Sequence, residues 1–244
     1  MRLDLYLFSG GFAVSRSKAQ KLIEDSRVYV NGKCITKTSF DVSENDVVEI
    51  SATDSFDFVG RGGQKLEHTF SCFNYDVKDK ICLDIGASTG GFTQCLLLHG
   101  AKLVYAVDSG TGQLAESLRK DCRVVSMEGF NAKNLTSEDI GGCLVDIAVM
   151  DVSFISQKLL YPAILRVVKP GADVITLIKP QFEAGKQNVG KKGIVKDPKV
   201  RDRVVADIIE FAKQSGFDYV AHTDSPIEGG DGNKEYLLHL RAKP

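Results

Sequence analysis

The part of the sequence that decides the fold is Leu83-Asp84-Ile85-Gly86-Ala87-Ser88-Thr89-Gly90-Gly91-Phe92. It overlaps the apolar run Ile81–Ile85, which has the length of a buried strand, and leads into a helix-like run, Gly90–His99. Glycines at such a turn let the backbone approach a ligand closely. The stretch therefore predicts a cofactor loop, although glycines that merely close a tight turn would give the same pattern.

A carboxylate in the next unit strengthens this interpretation. The strand-like run Leu103–Val107 ends at Asp108. In nucleotide-binding sheets an acid at the end of the second strand accepts hydrogen bonds from ribose hydroxyls. The loop and this acid together indicate a cofactor that contains adenosine.

The spacing of the glycines separates two such cofactors. Dinucleotide binding prefers G-x-G-x-x-G, whereas three residues lie between Gly86 and Gly90 here. Asp84, just before the turn, suits a cationic ligand such as the methionine amine better than a diphosphate. The pattern favours S-adenosylmethionine over NAD.

The same residues also match G-x-S-x-G, the nucleophile elbow of serine hydrolases. His222 or His239 would follow in the required order. However, no His-Gly-Gly segment for an oxyanion hole precedes the site, and Asp108 would have no role. The hydrolase remains the weaker alternative.

Strand-like and helix-like runs alternate after residue 60, which predicts an α/β fold with a parallel sheet covered by helices on both faces. Beyond those already named, the runs are a helix at Gly112–Lys120, a strand at Val145–Met150, a helix at Gln157–Val168, a strand at Asp173–Ile178, a helix at Val200–Ser215, and strands near Tyr219–Thr223 and Glu235–Arg241.

The first 50 residues have a different pattern, with two short helices separated by Gly10-Gly11 and short strands around Arg27–Val30 and Val47–Ile50. Between Arg16 and Lys37 there are six basic residues and two acids, whereas Asp41–Asp57 has six acids and no base. We place a small α+β domain at 1–55, a linker at 56–60 and the large domain at 61–244.

Composition limits the function classes. The formal net charge of −1 argues against binding of nucleic acid by bulk charge, so the basic residues near the N-terminus form a local patch. No apolar stretch is long enough to span a membrane, and Asp4 interrupts any signal-peptide pattern, so a cytoplasmic location is expected. The six cysteines lack metal-site spacing and are expected to be reduced core residues, with no metal.

Six ordered motifs resemble the TlyA-type ribosomal RNA 2′-O-methyltransferases, also named the haemolysin A family, whose catalytic domain is similar to FtsJ. The resemblance covers nearly the whole chain and implies a Rossmann-like sheet of seven mostly parallel strands that binds S-adenosylmethionine. The motifs are Gly60–Leu66, Asp84–Phe92, Val107-Asp108 with Gly110–Leu114, Asp151–Ser156, Ile178–Glu183 and Gly232–Tyr236. The implied cofactor-binding residues are Asp84, Gly86, Ser88, Gly90, Gly91, Phe92, Asp108 and Asp151.

The N-terminal segment is similar to the small RNA-binding domain of bacterial ribosomal protein S-four, through Ser15–Ala19 and Val28–Gly32. This likeness implies ribosomal RNA or a ribosomal subunit as partner; no protein partner is predicted. Lysines in the loop Gly185–Gly193 are expected to contact phosphates. A solvated loop is the alternative for those lysines. The candidate RNA-binding residues are Arg2, Arg16, Ser17, Lys18, Lys21, Arg27, Lys33, Arg61, Lys191 and Lys192.

The resemblance also implies four catalytic residues, which are Lys65, Asp151, Lys179 and Glu235. A ribose hydroxyl must lose its proton as it attacks the methyl group, and Lys179, directly after the apolar run Val174–Ile178, is predicted to act as the base. Asp151 would orient Lys179, while Lys65 and Glu235 would position the hydroxyl.

Asp151-Val152-Ser153-Phe154 differs from the Asn/Asp-Pro-Pro-aromatic motif of base-nitrogen methyltransferases, which favours a ribose target. The resemblance implies a cytidine in ribosomal RNA, with the large subunit as the expected substrate. A haemolysin or membrane-active protein, as the family naming suggests, and a non-catalytic ribosome-assembly factor are the alternatives.

Overall fold

The computed structural model describes residues 1–13, 15–24, 28–43, 46–50 and 58–244. The chain forms two compact units, Met1–Phe56 and Asp57–Pro244. Residues 51–57, which include the first two residues of the expected linker 56–60, lie outside the described residues, as does the candidate RNA-binding residue Arg27.

The first unit contains two helices and a small antiparallel sheet. The elements are α1 (Leu3–Ser9), α2 (Arg16–Glu24), β1 (Val28–Val30), β2 (Lys33–Cys34) and β3 (Val48–Ile50), and the strand order is β2-β1-β3. Asn31 and Gly32 connect β1 to β2, and both have positive φ, 52° and 75°. This backbone suits a two-residue hairpin, because its twist matches that of the flanking strands.

A buried carboxylate ties the helices of the first unit together. Asp4 is fully buried and accepts hydrogen bonds from Arg2 Nε at 3.0 Å, Arg16 Nε at 3.0 Å and Gln20 Nε2 at 2.9 Å. Leu3, Leu7 and other apolar residues of α1 and α2 pack behind it. Asp4 therefore connects the start of α1 to two successive turns of α2.

The second unit is built on one seven-stranded sheet, which confirms the predicted fold class. The strand order is β6-β5-β4-β7-β8-β10-β9; the first five strands are parallel, and β10 is antiparallel to both of its neighbours. The elements are α3 (Gly62–Cys72), β4 (Ile81–Ile85), α4 (Gly91–Leu98), β5 (Leu103–Asp108), α5 (Glu116–Arg119), β6 (Val124–Glu128), β7 (Val145–Met150), α6 (Tyr161–Val167), β8 (Val168–Ile178), α7 (Pro180–Glu183), α8 (Pro198–Gln214), β9 (Phe217–Asp224) and β10 (Tyr236–Ala242).

Two apolar layers cover the sheet, as the alternation of side chains in β4 shows. Leu83 and Ile85 point to the layer that contains α6 and α8, while Cys82 points to the layer that contains α3 and α4. The chain runs outward from β4 to β6 and then returns to β7 beside β4. Ligands of open α/β sheets bind at such a reversal, outside the carboxyl ends of the strands.

Several elements differ from the prediction. The helix expected at Gly112–Lys120 is only the four-residue α5, because Glu128 Oε1 accepts the backbone N–H groups of Gln113 at 2.7 Å and Leu114 at 3.1 Å. The helix expected at Gln157–Val168 starts as a 3₁₀ turn, becomes α6 at Tyr161 and ends where β8 begins. Helix α3 and the edge strand β6 were not predicted.

The expectation for the cysteines was wrong in part. Cys82 and Cys95 are buried, as expected, but Cys34, Cys72, Cys122 and Cys143 are exposed. These four lie on short elements or connections, where an apolar neighbour in sequence does not imply burial. No disulfide joins the six, all of which are within the described part of the chain.

No helix among the described residues is both long and apolar enough to cross a bilayer.

We predict that Asp4→Asn destabilises the first unit by about 1–2 kcal/mol, because the buried group loses its charge-assisted hydrogen bonds. The hydrogen bond from Arg2, helped by Gln20 and Arg16, holds the pKa of Asp4 well below its usual range. A lowered pKa means that this stabilisation is complete above about pH 4 and disappears as the pH falls through the lowered value.

Hydrogen exchange of amides in residues 1–50 of the full chain measures this effect. Glu49→Gln, which changes an exposed acid on β3, is the matched control. Equal protection in the two variants at neutral pH would contradict the prediction.

Candidate active site

Two cavities open at the carboxyl edge of the sheet, where the strand order reverses. One has a volume of about 480 Å³ and is lined by Gly86, Asp108, Asn131 and neighbouring residues. The other, of about 270 Å³, contains all four candidate catalytic side chains. Gly86, Ser88, Asp151 and Ser153 line both. The cavities therefore meet at the ends of β4 and β7.

Gly86 lies where no other residue fits without rearrangement. Its φ is +83°, and a Cβ added there would lie 2.3 Å from the backbone oxygen of Asp151. The Gly86 N–H donates to the Val107 carbonyl at 2.8 Å, which holds the loop against β5. The absence of a side chain thus brings the loop after β4 into contact with the residue after β7.

Asp108, at the end of β5, is oriented by backbone amides. Its Oδ2 accepts from Ser88 N at 2.8 Å and its Oδ1 from Gly110 N at 2.7 Å. A carboxylate has about four acceptor sites, so capacity remains for hydroxyls of a ligand in the larger cavity. The role expected for Asp108 from the sequence, binding of ribose hydroxyls, stays a prediction.

Asp84 and Gly90, two of the predicted cofactor-binding residues, line neither cavity. Asp84 is fully buried beneath the loop, where it accepts a hydrogen bond from Thr93 Oγ1 at 2.6 Å, and burial raises the pKa of its carboxyl to about 7. Gly90, with φ of +96°, makes room for Leu118 and Leu114 instead. Gly91 and Phe92 line the smaller cavity.

The four candidate catalytic residues form two ion pairs in the smaller cavity. Lys65 Nζ lies 2.5 Å from Glu235 Oε2, and these side chains are 7% and 2% exposed. Lys179 Nζ lies 2.6 Å from Asp151 Oδ1, with exposures of 12% and 18%. The elements that position them are the first turn of α3, the end of β7, the end of β8 and the residue before β10.

Buried ion pairs add little stability, because desolvation of both charges offsets their attraction. One buried pair and one partly buried pair in the same cavity therefore indicate a chemical role rather than a contribution to folding. Together they supply two ammonium groups and two carboxylates within reach of one small ligand group.

Other residues of the site were not identified from the sequence. Ser153 Oγ accepts a hydrogen bond from Lys179 Nζ at 2.8 Å. Phe154 is 90% exposed, and its backbone has a positive φ of 64°. Its ring centroid lies 5.1 Å from that of Phe182. Phe130, Asn131 and Ala132 line the larger cavity. An exposed phenylalanine just after a buried strand would have indicated a binding residue. The sequence shows that Phe154 follows the strand but does not show that its side chain is exposed.

The candidate RNA-binding residues lie in three places. In the first unit, Arg2 and Arg16 are exposed partners of Asp4, while Ser17, Lys21 and Lys33 are exposed and Lys18 is half-buried. Arg61 lines the smaller cavity of the second unit. Lys191 and Lys192 are exposed in the loop before α8.

The loop with Lys191 and Lys192 is anchored near Glu235. Asn233, which is 1% exposed, accepts the Val195 N–H at 3.0 Å and donates to the Gly193 carbonyl at 2.9 Å. Gly190 and Ile194 close the loop through a backbone hydrogen bond of 3.0 Å. The segment that carries Glu235 therefore also fixes the base of this loop.

Two family models match the chain. The model of the FtsJ-like methyltransferase matches residues 58–242, and that of the S4 domain matches residues 1–48. Each lies within one of the two compact units.

Similar proteins match along almost the full length. Hemolysin A of Brachyspira hyodysenteriae is 46% identical over 240 residues, which are 98% of this chain and 99% of that protein. The 16S/23S rRNA (cytidine-2′-O)-methyltransferase TlyA of Mycobacterium tuberculosis is 43% identical over 242 residues, 99% of this chain and 90% of that one.

The solved structure of a Streptococcus thermophilus protein described as a hemolysin superposes with a TM-score of 0.76 at 39% identity, and the match covers 100% of this chain and 88% of that one. The two ion pairs and Asp108 thus lie in the part of the chain that the FtsJ-like methyltransferase model matches. The chain belongs to the TlyA and hemolysin A family, which joins an S4 domain to an FtsJ-like methyltransferase domain.

Proposed function

We propose that the protein transfers the methyl group of S-adenosylmethionine to the 2′-hydroxyl of a cytidine in ribosomal RNA, with large-subunit RNA as the substrate. The observation that supports this most directly is the cavity in which Lys65, Asp151, Lys179 and Glu235 meet, next to the cavity that contains Asp108. The cytidine and the ribosomal RNA come from the similarity to the Mycobacterium tuberculosis enzyme, whose name gives both 16S and 23S rRNA. The choice of the large subunit follows the name of a 35% identical Campylobacter jejuni relative, a 23S rRNA (cytidine-2′-O)-methyltransferase.

The larger cavity fits S-adenosylmethionine. Its volume of about 480 Å³ is within the range of small-molecule sites, and Asp108 offers acceptor capacity for ribose hydroxyls. Phe130 and Ala132 supply apolar walls and Asn131 an amide, which suit an adenine ring. When bound, the cofactor supplies an electrophilic methyl group on a sulfonium.

The smaller cavity supplies the groups that the acceptor needs. Lys179 would first give the extra proton of its ammonium group to solvent, and the neutral amine would then take the proton of the 2′-hydroxyl as that oxygen accepts the methyl group that the cofactor supplies. Asp151 and Ser153 orient the Lys179 amine through contacts of 2.6 and 2.8 Å. Lys65, held by Glu235, donates to the acceptor oxygen and stabilises the charge that develops on it.

Several exposed groups fit an RNA substrate. Phe154 lines the larger cavity and is exposed to solvent, and exposed aromatic rings stack on unpaired bases. The cations of the first unit and of the loop at Lys191 suit phosphate contacts, which position RNA without reading its sequence. We also propose a cytoplasmic location, because that is where ribosomal RNA is available as a substrate.

The two alternative functions, membrane activity and non-catalytic ribosome assembly, do not explain the ion pairs of the smaller cavity. A membrane-active protein and a non-catalytic assembly factor would each keep one buried and one partly buried ion pair at the cost of their desolvation. Nothing in either activity requires an oriented lysine at the end of a buried strand. Ribose methylation uses both pairs.

Replacement of Lys179 tests the base. We expect Lys179→Ala to lower kcat for transfer of radiolabelled methyl groups by at least about 100-fold, with cofactor and RNA binding retained, because a general base contributes about 10²–10⁴-fold. Lys179→Arg keeps the positive charge but cannot accept a proton, so it should be equally inactive. Lys102→Ala, an exposed lysine before β5, is the control.

The assay uses unmethylated large and small ribosomal subunits and their free RNA. Label on a cytidine ribose of large-subunit RNA supports the proposal. Label on small-subunit RNA alone would contradict the assigned substrate, and full turnover by Lys179→Ala with normal RNA binding would contradict the assigned base.

Asp108→Ala tests the cofactor cavity. We expect it to weaken S-adenosylmethionine binding about 10–100-fold, because a hydrogen bond to a charged group contributes about 1.5–3 kcal/mol. Isothermal titration of the full chain measures the affinity, and Asp207→Asn, an exposed acid on α8, is the control. Unchanged affinity would contradict the assignment of the cofactor to the cavity of about 480 Å³.

A double substitution, Lys191→Ala with Lys192→Ala, tests the loop. If both lysines contact phosphates, RNA binding should weaken and the slope of log K against log salt should decrease in magnitude by about 1 to 2. Filter binding over a salt series gives that slope, and Lys78→Ala with Lys102→Ala is the matched control. An unchanged slope would contradict phosphate contacts by these lysines and favour a loop that is merely solvated.

A further inference from the structure

A second cluster of reactive side chains lies away from both cavities, on the two helices that flank the smaller one. Among the described residues, Glu67, Cys95 and His99 form a group in which one ligand atom from each lies within 4.8 Å of the others. Glu67 is on α3, Cys95 is on α4, and His99 directly follows α4. The proposed methyl transfer uses none of them.

The three ligand atoms are spaced almost as a metal ion would hold them. Bond lengths of about 2.0 Å to nitrogen and oxygen and 2.3 Å to sulfur place the ligand atoms of a tetrahedral zinc site about 3.3–3.6 Å apart. Cys95 Sγ lies 3.5 Å from Glu67 Oε2, and His99 Nε2 lies 2.8 Å from the same oxygen. The Nε2 to Oε2 distance must open by about 0.5 Å, and the remaining pair, Cys95 Sγ and His99 Nε2, lies within 4.8 Å.

The protein also orients the ligands before any ion binds. The His99 ring stacks on Phe70 at a centroid distance of 3.7 Å and an interplanar angle of 10°, which turns Nε2 towards Glu67. Cys95 is fully buried, whereas the side chains of His99 and Glu67 are 28% and 24% exposed. The cluster therefore has a closed side with the thiol and an open side through which an ion can enter.

The types of ligand atom in the cluster determine which metal ion it would bind best. One sulfur, one imidazole nitrogen and one carboxylate oxygen suit zinc, whereas magnesium and calcium prefer oxygen ligands throughout. We propose that Glu67, Cys95 and His99 form a zinc-binding site with water as the fourth ligand. On binding, the Cys95 thiol releases its proton to solvent, and His99 coordinates as the neutral imidazole through Nε2.

Such an ion would brace the wall of the active site. The helices already approach closely, because a Cβ on Gly91 would lie 2.7 Å from the Gly63 nitrogen. Lys65 is in the first turn of α3, and Thr93 of α4 bonds to Asp84. Zinc would cross-link the helices about one turn further along, so that it stabilises them without touching substrate or cofactor.

The test uses the full chain after removal of metal with a chelator. We expect titration calorimetry to show one Zn²⁺ bound per chain and a higher unfolding temperature with zinc than without. Co²⁺ in place of zinc should give the charge-transfer absorption of a thiolate ligand. Cys95→Ser and His99→Phe should each weaken zinc binding at least about 100-fold, because loss of an outer-shell partner alone costs about 10–100-fold.

The variants are chosen so that folding and binding can be separated. His99→Phe keeps a ring on Phe70, and circular dichroism checks that it folds. Cys82→Ser removes another buried thiol of the same domain, and Cys72→Ala removes the exposed thiol that lies 3.2 Å from His68 Nε2. Both controls should bind zinc normally.

Absence of zinc binding by the wild-type chain would overturn the proposal. So would binding that persists in His99→Phe, or binding that is lost in Cys72→Ala, since the latter would place the ion at the exposed Cys72 and His68 pair. None of these readouts depends on methyl transfer, so failure here leaves the proposed function intact.

Discussion

The contact between Gly86 and the backbone of Asp151 is the constraint on which the site depends. A Cβ at position 86 would lie 2.3 Å from the Asp151 oxygen, so the loop after β4 can reach the end of β7 only with glycine there. That contact makes one wall common to both cavities, as Asp151 lines each of them. In the proposed reaction, donor and acceptor groups must approach each other to within bonding distance. The shared wall fixes where they meet.

The charges around this wall follow from the same geometry. Strands β7 and β8 are adjacent and parallel, so Asp151 and Lys179, each directly after its strand, are brought together at 2.6 Å. The antiparallel pairing of β10 with β8 aligns Tyr236 with Ile178 and brings Glu235 to the same edge, where Lys65 of α3 meets it. The strand pairing holds these four charged groups in place and shields them, wholly or in part, from water before any substrate binds. A site held in this way needs little reorganisation when the acceptor arrives.

Much of this could be predicted from the sequence, because the chemistry follows ordered strands. A residue that directly follows a buried strand lies at the carboxyl edge, so Asp108, Asp151 and Lys179 could be placed there from the apolar runs before them. The depth of a side chain is harder to predict. Asp84 and Gly90 stand within the cofactor motif, yet one lies beneath the loop and the other makes room for Leu118.

The predicted helix lengths were wrong for a related reason, which is that contacts distant in sequence decide where a helix ends. Nothing near Gly112 in sequence shows that Glu128, on the edge strand β6, takes the amides of Gln113 and Leu114 and leaves α5 short. Likewise α3 begins with two glycines and has weak intrinsic helix propensity, so its formation depends on packing of Leu66 against the core.

Each unit uses a carboxylate to hold cations, and the two differ in a way that matches the ligands proposed for them. Asp4 holds two arginines whose side chains are 43% and 47% exposed, so their guanidinium groups keep donors for solvent or phosphate while their positions are fixed. Asp151 holds a lysine that is 12% exposed, so that amine can reach only a group that enters the cavity. An arginine always remains charged and suits binding to phosphate, whereas a lysine can release its proton and suits catalysis. In the proposed function, the arginines at Asp4 therefore bind RNA phosphates, and the lysine at Asp151 takes part in the reaction.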